Sequence, residues 1–143
     1  MKKNNSGFSL VELIIVIAIM AVLIGVLAPQ FIKYVERSRE STDLQNIEEI
    51  KIAVETYVAD NGEKTLPDSI TVTCPSGSKG YITCDLGNEL NSYGIATTGV
   101  ANKSTKWSGT FTWSYNTSTY MWTAPTGVHA DYFNADGTDY SAK

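Results

Sequence analysis

Hydrophobic and polar positions divide the chain into three stretches. The first runs from Phe8 to Ala28 as FSLVELIIVIAIMAVLIGVLA, 21 residues in which Glu12 is the only charge. As a helix at ~1.5 Å per residue it is about 31 Å long, close to the ~30 Å hydrocarbon thickness of a bilayer. It is apolar all round, so periodicity specifies no single buried face. From Phe31 to about Ala59 the pattern turns amphipathic. Val35, Ile47, Ile50, Val54, Tyr57 and Val58 recur at helical spacing, and Glu36, Glu40, Glu48, Glu49 and Glu55 fill much of the remainder. The apolar stripe reads as core-facing in its second half. Glu36, Arg37, Arg39 and Glu40 read as a solvated face or, in an assembly, as a contact with neighbouring molecules. Asp60-Asn61-Gly62 supplies a stop, since glycine can take the left-handed terminal conformation. One helix is therefore expected from Phe8 to Ala59. Its weak point is Gly25–Pro29: Pro29 removes the donor for the Gly25 carbonyl, and glycine is a poor helix former, so a kink or local melt is expected there.

Beyond Gly62 the composition shifts to Thr, Ser, Gly, Asn and aromatics. Ile70, Val72 and Cys74 alternate with Thr71 and Thr73, the pattern of a strand. Asp85 to Tyr93 reads as a short helix. Trp107 to Tyr115 reads as the clearest strand, with Trp107, Phe111, Trp113 and Tyr115 on one face. Asn116–Thr119 is a polar turn, and Tyr120, Trp122 and Ala124 return. The aromatic face reads as core against the amphipathic helix rather than as a platform for sugars or bases. The expected fold is α+β, a long N-terminal helix packed against a small antiparallel sheet. Its segments are 1–7, 8–28, 29–61 and 62–143.

Charge and chemistry narrow the function. A net charge of −4 argues against a nucleic-acid binder. One histidine, His129, and two cysteines without a CxxC provide no zinc site of usual spacing. No Ser/His/Asp set or pair of catalytic acids stands out, so an enzyme is not expected. The apolar run by itself fits a cleaved secretory signal with Lys2 and Lys3 as its basic start, a plain single-pass anchor, or a buried helix. None of these accounts for Glu12, because a carboxylate in a membrane span costs roughly 2.5–3.5 kcal/mol on insertion scales.

Lys2 and Lys3, Gly7, Phe8, Glu12 and Pro29 occur together in one register, KKNNSG-FSLVELIIVIAIMAVLIGVLAPQF. This segment resembles the amino terminus of type IV prepilins and of type II secretion pseudopilins. The resemblance spans Lys2 to about Tyr34, roughly a quarter of the chain. It implies cleavage between Gly7 and Phe8 by a membrane-embedded prepilin peptidase, followed by N-methylation of Phe8. Loss of Lys2 and Lys3 then takes the net charge from −4 to −6. It implies that Glu12 pairs with the new amine of a neighbouring subunit during assembly. Contact within one subunit is the alternative, since residues four apart share a helix face. It places the leader inside the cell and the head outside, although Lys33, Arg37 and Arg39 after the run give no support from a charge count.

The implied function is a major or abundant pilin, a homopolymer serving adhesion, twitching motility or DNA uptake. A pseudopilin of a type II secretion or competence system is the alternative, and a membrane-anchored extracytoplasmic protein a more distant one. Implied partners are the prepilin peptidase, an inner-membrane assembly platform with its assembly ATPase, and membrane lipid before assembly. No specific nucleic acid is among them. The chain would lie in the cytoplasmic membrane first and in a surface filament afterwards.

An extracytoplasmic head makes a Cys74–Cys84 disulfide the favoured state of its two thiols. A tight hairpin of Ile70–Cys74 with Gly80–Cys84 is the competing arrangement. It would separate the cysteines by about 13 Å, whereas a disulfide needs Cα atoms within ~7 Å. In the tail HADYFNADGTDYSAK, the oxygens of Asp131, Asn134, Asp136 and Asp139 could hold calcium, as happens near the carboxy terminus of major pseudopilins. Tyr132 falls where an EF-hand needs its first acid, and Asp136-Gly137 is a common turn pair, so a polar turn is favoured and no other cofactor is expected.

Overall fold

The computed structural model describes residues 7–62, 66–77, 80–107 and 109–127. Helix α1 runs from Leu10 to Asp60. It belongs to two compact units, residues 1–35 and 36–143, and each is described by itself.

In the first unit every residue from Gly7 to Tyr34 is solvent-exposed, including the whole apolar run. This helix is long and apolar enough to cross a membrane. It begins at Leu10 rather than Phe8, with Ser9 as the residue before its first turn. The helix is unbroken across Gly25 and Pro29, so the local melt expected there is absent. A proline deletes one rung of the hydrogen-bond ladder, and the flanking rungs hold the helical path.

In the second unit α1 continues from Glu36 to Asp60. Asn61 ends it with two bonds to the Tyr57 carbonyl, from its backbone N–H at 3.0 Å and its Nδ2 at 2.9 Å. Gly62 does not take the left-handed conformation expected of it, because the Asn61 side chain has already satisfied a terminal carbonyl.

The strands are β1 (Ser69–Cys74), β2 (Tyr81–Cys84), β3 (Val100–Ala101), β4 (Phe111–Asn116), β5 (Met121–Trp122) and β6 (Thr126–Gly127), with a 3-10 helix at Gly87–Tyr93. The sheet is antiparallel in the order β3-β2-β1-β4-β5, with β6 also on β4. Its spine is β1 against β4, in register from Ser69↔Asn116 to Cys74↔Phe111. Alternation then sends Ile70, Val72, Phe111, Trp113 and Tyr115 inward, where they are buried with Ile47, Ile50, Val54 and Val58 of α1. Phe111 joins Trp107 and Trp113 edge-on, each with ring centroids 5.0 Å apart. Gly94, at φ 89°, ends the 3-10 helix in a conformation that favours glycine.

The expected α+β architecture is the one observed, with differences in detail. Trp107 is buried as expected, but it lies in the loop before β4 rather than in a strand. The return strand shortens to Met121–Trp122. The expected Cys74–Cys84 disulfide is corrected, because both cysteines are free. The competing β1–β2 hairpin forms instead, pairing Val72 with Cys84 and Thr73 with Thr83. That register makes the two cysteines diagonal neighbours on one face, about 7–8 Å apart. This is closer than the opposite ends of a tight hairpin but too far for a bond.

Candidate functional site

The amino-terminal elements put the expected processing and assembly residues in one short segment. Gly7 and Phe8 are exposed and precede the helix. The Glu12 carboxylate reaches back one turn, where its Oε2 accepts the Ser9 backbone N–H at 2.9 Å. This is the acid's half of a capping box, and it places negative charge against the positive end of the helix dipole. The donor is Ser9, the residue after Phe8, and not the Phe8 nitrogen itself. Pro29 and Gly25 lie within the exposed helix. Asp131, Asn134, Asp136, Asp139 and His129 lie outside the described residues. Among the described residues no cluster of three His, Cys, Asp or Glu could hold a metal ion.

A second polar constellation, in the head, was not anticipated as one. Glu36, Glu40 and Asp43 are all buried. They continue, at spacings of four and three, the stripe that Ile47, Ile50 and Val54 carry further along α1. The core face of the helix therefore begins with three carboxylates. Sequence reasoning assigned Glu36 and Glu40 to a solvated face, and that is corrected here. Arg37 and Arg39 are exposed as expected.

These carboxylates hold the loop 103–107. Asp43 Oδ1 accepts the Lys103 N–H at 2.7 Å. Asp43 Oδ2 accepts the Ser104 N–H at 2.7 Å and the Trp107 indole N–H at 3.1 Å. Glu36 Oε1 accepts the Ser104 hydroxyl at 2.8 Å and the backbone N–H groups of Thr105 and Lys106. Glu36 Oε2 meets Arg39 at 3.3 Å, and Glu40 Oε1 meets Lys106 Nζ at 3.4 Å. Glu40 Oε2 is buried without a hydrogen-bond donor. Burial pushes the Glu36 pKa up, but the bonds from Ser104, Thr105 and Lys106 outweigh it and hold the group below its ordinary 4.5. Every other oxygen of the trio is occupied by a protein donor, so the arrangement is a seat for a loop and not a catalytic centre. The signal that could have found it is the register: acids in phase with an apolar stripe face the core.

The cysteines are inert by environment. Burial, and then the nearby Asp43 charge, push Cys74 up to about 12, and burial pushes Cys84 up to about 11.

Comparison with known proteins bears on the amino-terminal segment first. The prokaryotic N-terminal methylation motif matches residues 2–28, which include Gly7, Phe8 and Glu12. The type IV major fimbrial protein FimA of Dichelobacter nodosus is 38% identical over 63 residues, 44% of this chain and 40% of that one. The prepilin peptidase-dependent protein A of Clostridium perfringens is 31% identical over 77 residues, 54% of this chain and 55% of that one. The amino-terminal segment thus carries the methylation motif and is similar to the corresponding part of type IV fimbrial proteins. The fimbrial protein EcpC of Eikenella corrodens, at 28% identity, is matched over 79% of this chain and 83% of its own length. The chain thus spans about half the length, or less, of the first two relatives. No solved structure matches. The long apolar helix followed by a small antiparallel sheet is a pilin-like α+β fold.

Proposed function

We propose that this chain is a pilin, the structural subunit of a type IV pilus, polymerising through its amino-terminal helix. One observation carries the reading: residues 10–34 form a helix whose apolar side chains are exposed on every side, with Glu12 in its first turn. Such a surface is stable only in lipid or against copies of itself. The chain first spans the cytoplasmic membrane. A prepilin peptidase cuts between Gly7 and Phe8 and the new terminus is methylated. An assembly platform with its ATPase then moves helices from the bilayer into a bundle, where lipid contacts are exchanged for helix contacts. Glu12, already aimed at the amino-terminal end of the helix, offsets the new amine and transfers that contact to a neighbouring subunit. The fimbrial names of two relatives support a pilus.

Expression in cells that carry the assembly machinery tests this. Mature protein beginning at N-methylated Phe8, together with surface filaments by electron microscopy, is the expected result. Glu12→Ala should keep that mass and lose the filaments. A chain that retains Met1 in such cells, or normal filaments from Glu12→Ala, would overturn the reading.

A further inference from the structure

The head sorts its exposed charges along one helix. At the start of its stretch of α1, Arg37 and Arg39 are exposed. The loop seated on Glu36, Glu40 and Asp43 brings Lys103 and Lys106, both exposed, to the same end. Among the described residues these four are all the exposed cations of the head, since Lys51 is buried between Glu48 and Trp122. The exposed charges further along α1 are all acids: Glu48, Glu49, Glu55 and Asp60. Most of these groups are answered within the chain. Arg39 meets Glu36 at 3.3 Å and Glu48 meets Lys51 at 2.8 Å. Glu55 accepts the Trp122 indole N–H at 2.7 Å, and Asp60 accepts the Tyr93 hydroxyl at 3.0 Å. On this stretch of α1, among the described residues, the exposed charges left without a side-chain partner are Arg37 and Glu49.

Water satisfies an exposed charge, so neither residue needs a partner for stability. Their order along the helix is what selects one. Arg37 and Glu49 are twelve residues apart. That is about 18 Å along the axis at ~1.5 Å per residue, and about 120° around it at 3.6 residues per turn. Polymerisation through the amino-terminal helix, the reading on which this inference rests, holds neighbouring copies of α1 parallel. Two parallel copies at one level would set Arg37 beside Arg37 and Glu49 beside Glu49, and like charges repel. A copy displaced along the axis by about 18 Å sets Arg37 of one beside Glu49 of the next. The same displacement brings the cationic end of one head against the acidic stretch of the other. The two groups differ in height and direction, so each copy offers Arg37 to one neighbour and Glu49 to another. A contact that climbs at every step cannot close into a ring and propagates as an open helix. The charge pattern thus matches a second copy of this chain, staggered rather than level.

We propose that Arg37 of one subunit pairs with Glu49 of a staggered neighbour, so that charges on the head set the axial step between copies and reject level pairs.

The test reads the contact between two marked copies of the full chain. Ser41 and Ile52 are exposed and lie one turn beyond Arg37 and Glu49, so cysteines there leave both charges in place. Chains with Ser41→Cys are co-expressed with chains with Ile52→Cys in cells that carry the assembly machinery. Membrane and filament fractions are then treated with a short bis-maleimide. A cross-linked dimer is expected from the mixture, and not from either variant alone or from the parent chain. Arg37→Glu in the Ser41→Cys chain should lower its yield about fivefold, and adding Glu49→Arg to the Ile52→Cys chain should restore it. Glu49→Arg alone should lower it as much. No mixed dimer, an equal yield from Ser41→Cys alone, a yield indifferent to Arg37→Glu, or a loss that the exchanged charges fail to restore would overturn the proposal. Filaments of the parent chain are scored separately. Filaments without the mixed dimer overturn this contact alone, and a charge-sensitive dimer without filaments overturns the pilus reading alone.

Discussion

Asp43 and Trp107 are 64 positions apart in sequence, yet the carboxylate accepts the indole N–H at 3.1 Å with both residues buried. The same Asp43 accepts two loop N–H groups. Removing the carboxylate strands three donors, two of them in buried bonds. Asp43→Ala should therefore destabilise the head by about 3 kcal/mol, since bonds to charged groups are among the stronger ones. Asp43→Asn, which keeps an acceptor, should lose less. Near-ultraviolet circular dichroism during thermal unfolding reads the difference through the tryptophans. Coincident melts for Asp43→Ala and the parent chain would refute the argument.

Glu36 gives the head a pH dependence of defined sign. Its folded pKa lies below the ordinary 4.5. Its contribution to stability is thus complete above the ordinary value and is lost as pH falls through the lowered one. Denaturant midpoints measured from neutral pH downward should fall more steeply in the parent than in Glu36→Gln. Equal slopes would remove Glu36 from the account.

Free thiols predict silence rather than reactivity. Because the thiolate is the reactive form, Cys74 at about 12 and Cys84 at about 11 should alkylate slowly at pH 8 in the folded chain and quickly in denaturant. Intact mass should not change on reduction. A gain of two hydrogens would show a disulfide and contradict the β1–β2 register.

Tyr120 holds a φ of 56°, the only positive value at a non-glycine among the described residues. That conformation costs an L-residue roughly 1–2 kcal/mol. Tyr120→Asn should raise the melting midpoint, with a gain of about 1 kcal/mol. A lower midpoint would mean that the tyrosine ring contributes more than its backbone costs.

Much of this fold was legible because its patterns are periodic. The apolar run, the Ile47–Val58 stripe and the Phe111–Tyr115 alternation each announce one element and one buried face. Legibility failed where partners are distant in sequence. Glu36, Glu40 and Asp43 look like solvent-facing acids when polarity alone is read, and only loop 103–107, some sixty to seventy residues on, makes them interior. Trp107 extends an alternating pattern, but Asp43 draws its indole toward the helix and the strand begins later. The cysteine pairing turned on a hairpin register that neither residue encodes. At the amino terminus the reading needs only local spacing: the Glu12–Ser9 bond spans three residues.

The β4 edge bears on how such a protein avoids associating wrongly. β5 covers Tyr115–Asn116 and β6 covers Phe111–Thr112, with Pro125 buried between the two short strands. Each new edge offers only two residues of backbone, too short to template a foreign strand, and the intervening proline has no N–H to offer one. In the proposed filament, where helices would bring heads to high local density, these short described edges give strand stacking little purchase against helix bundling.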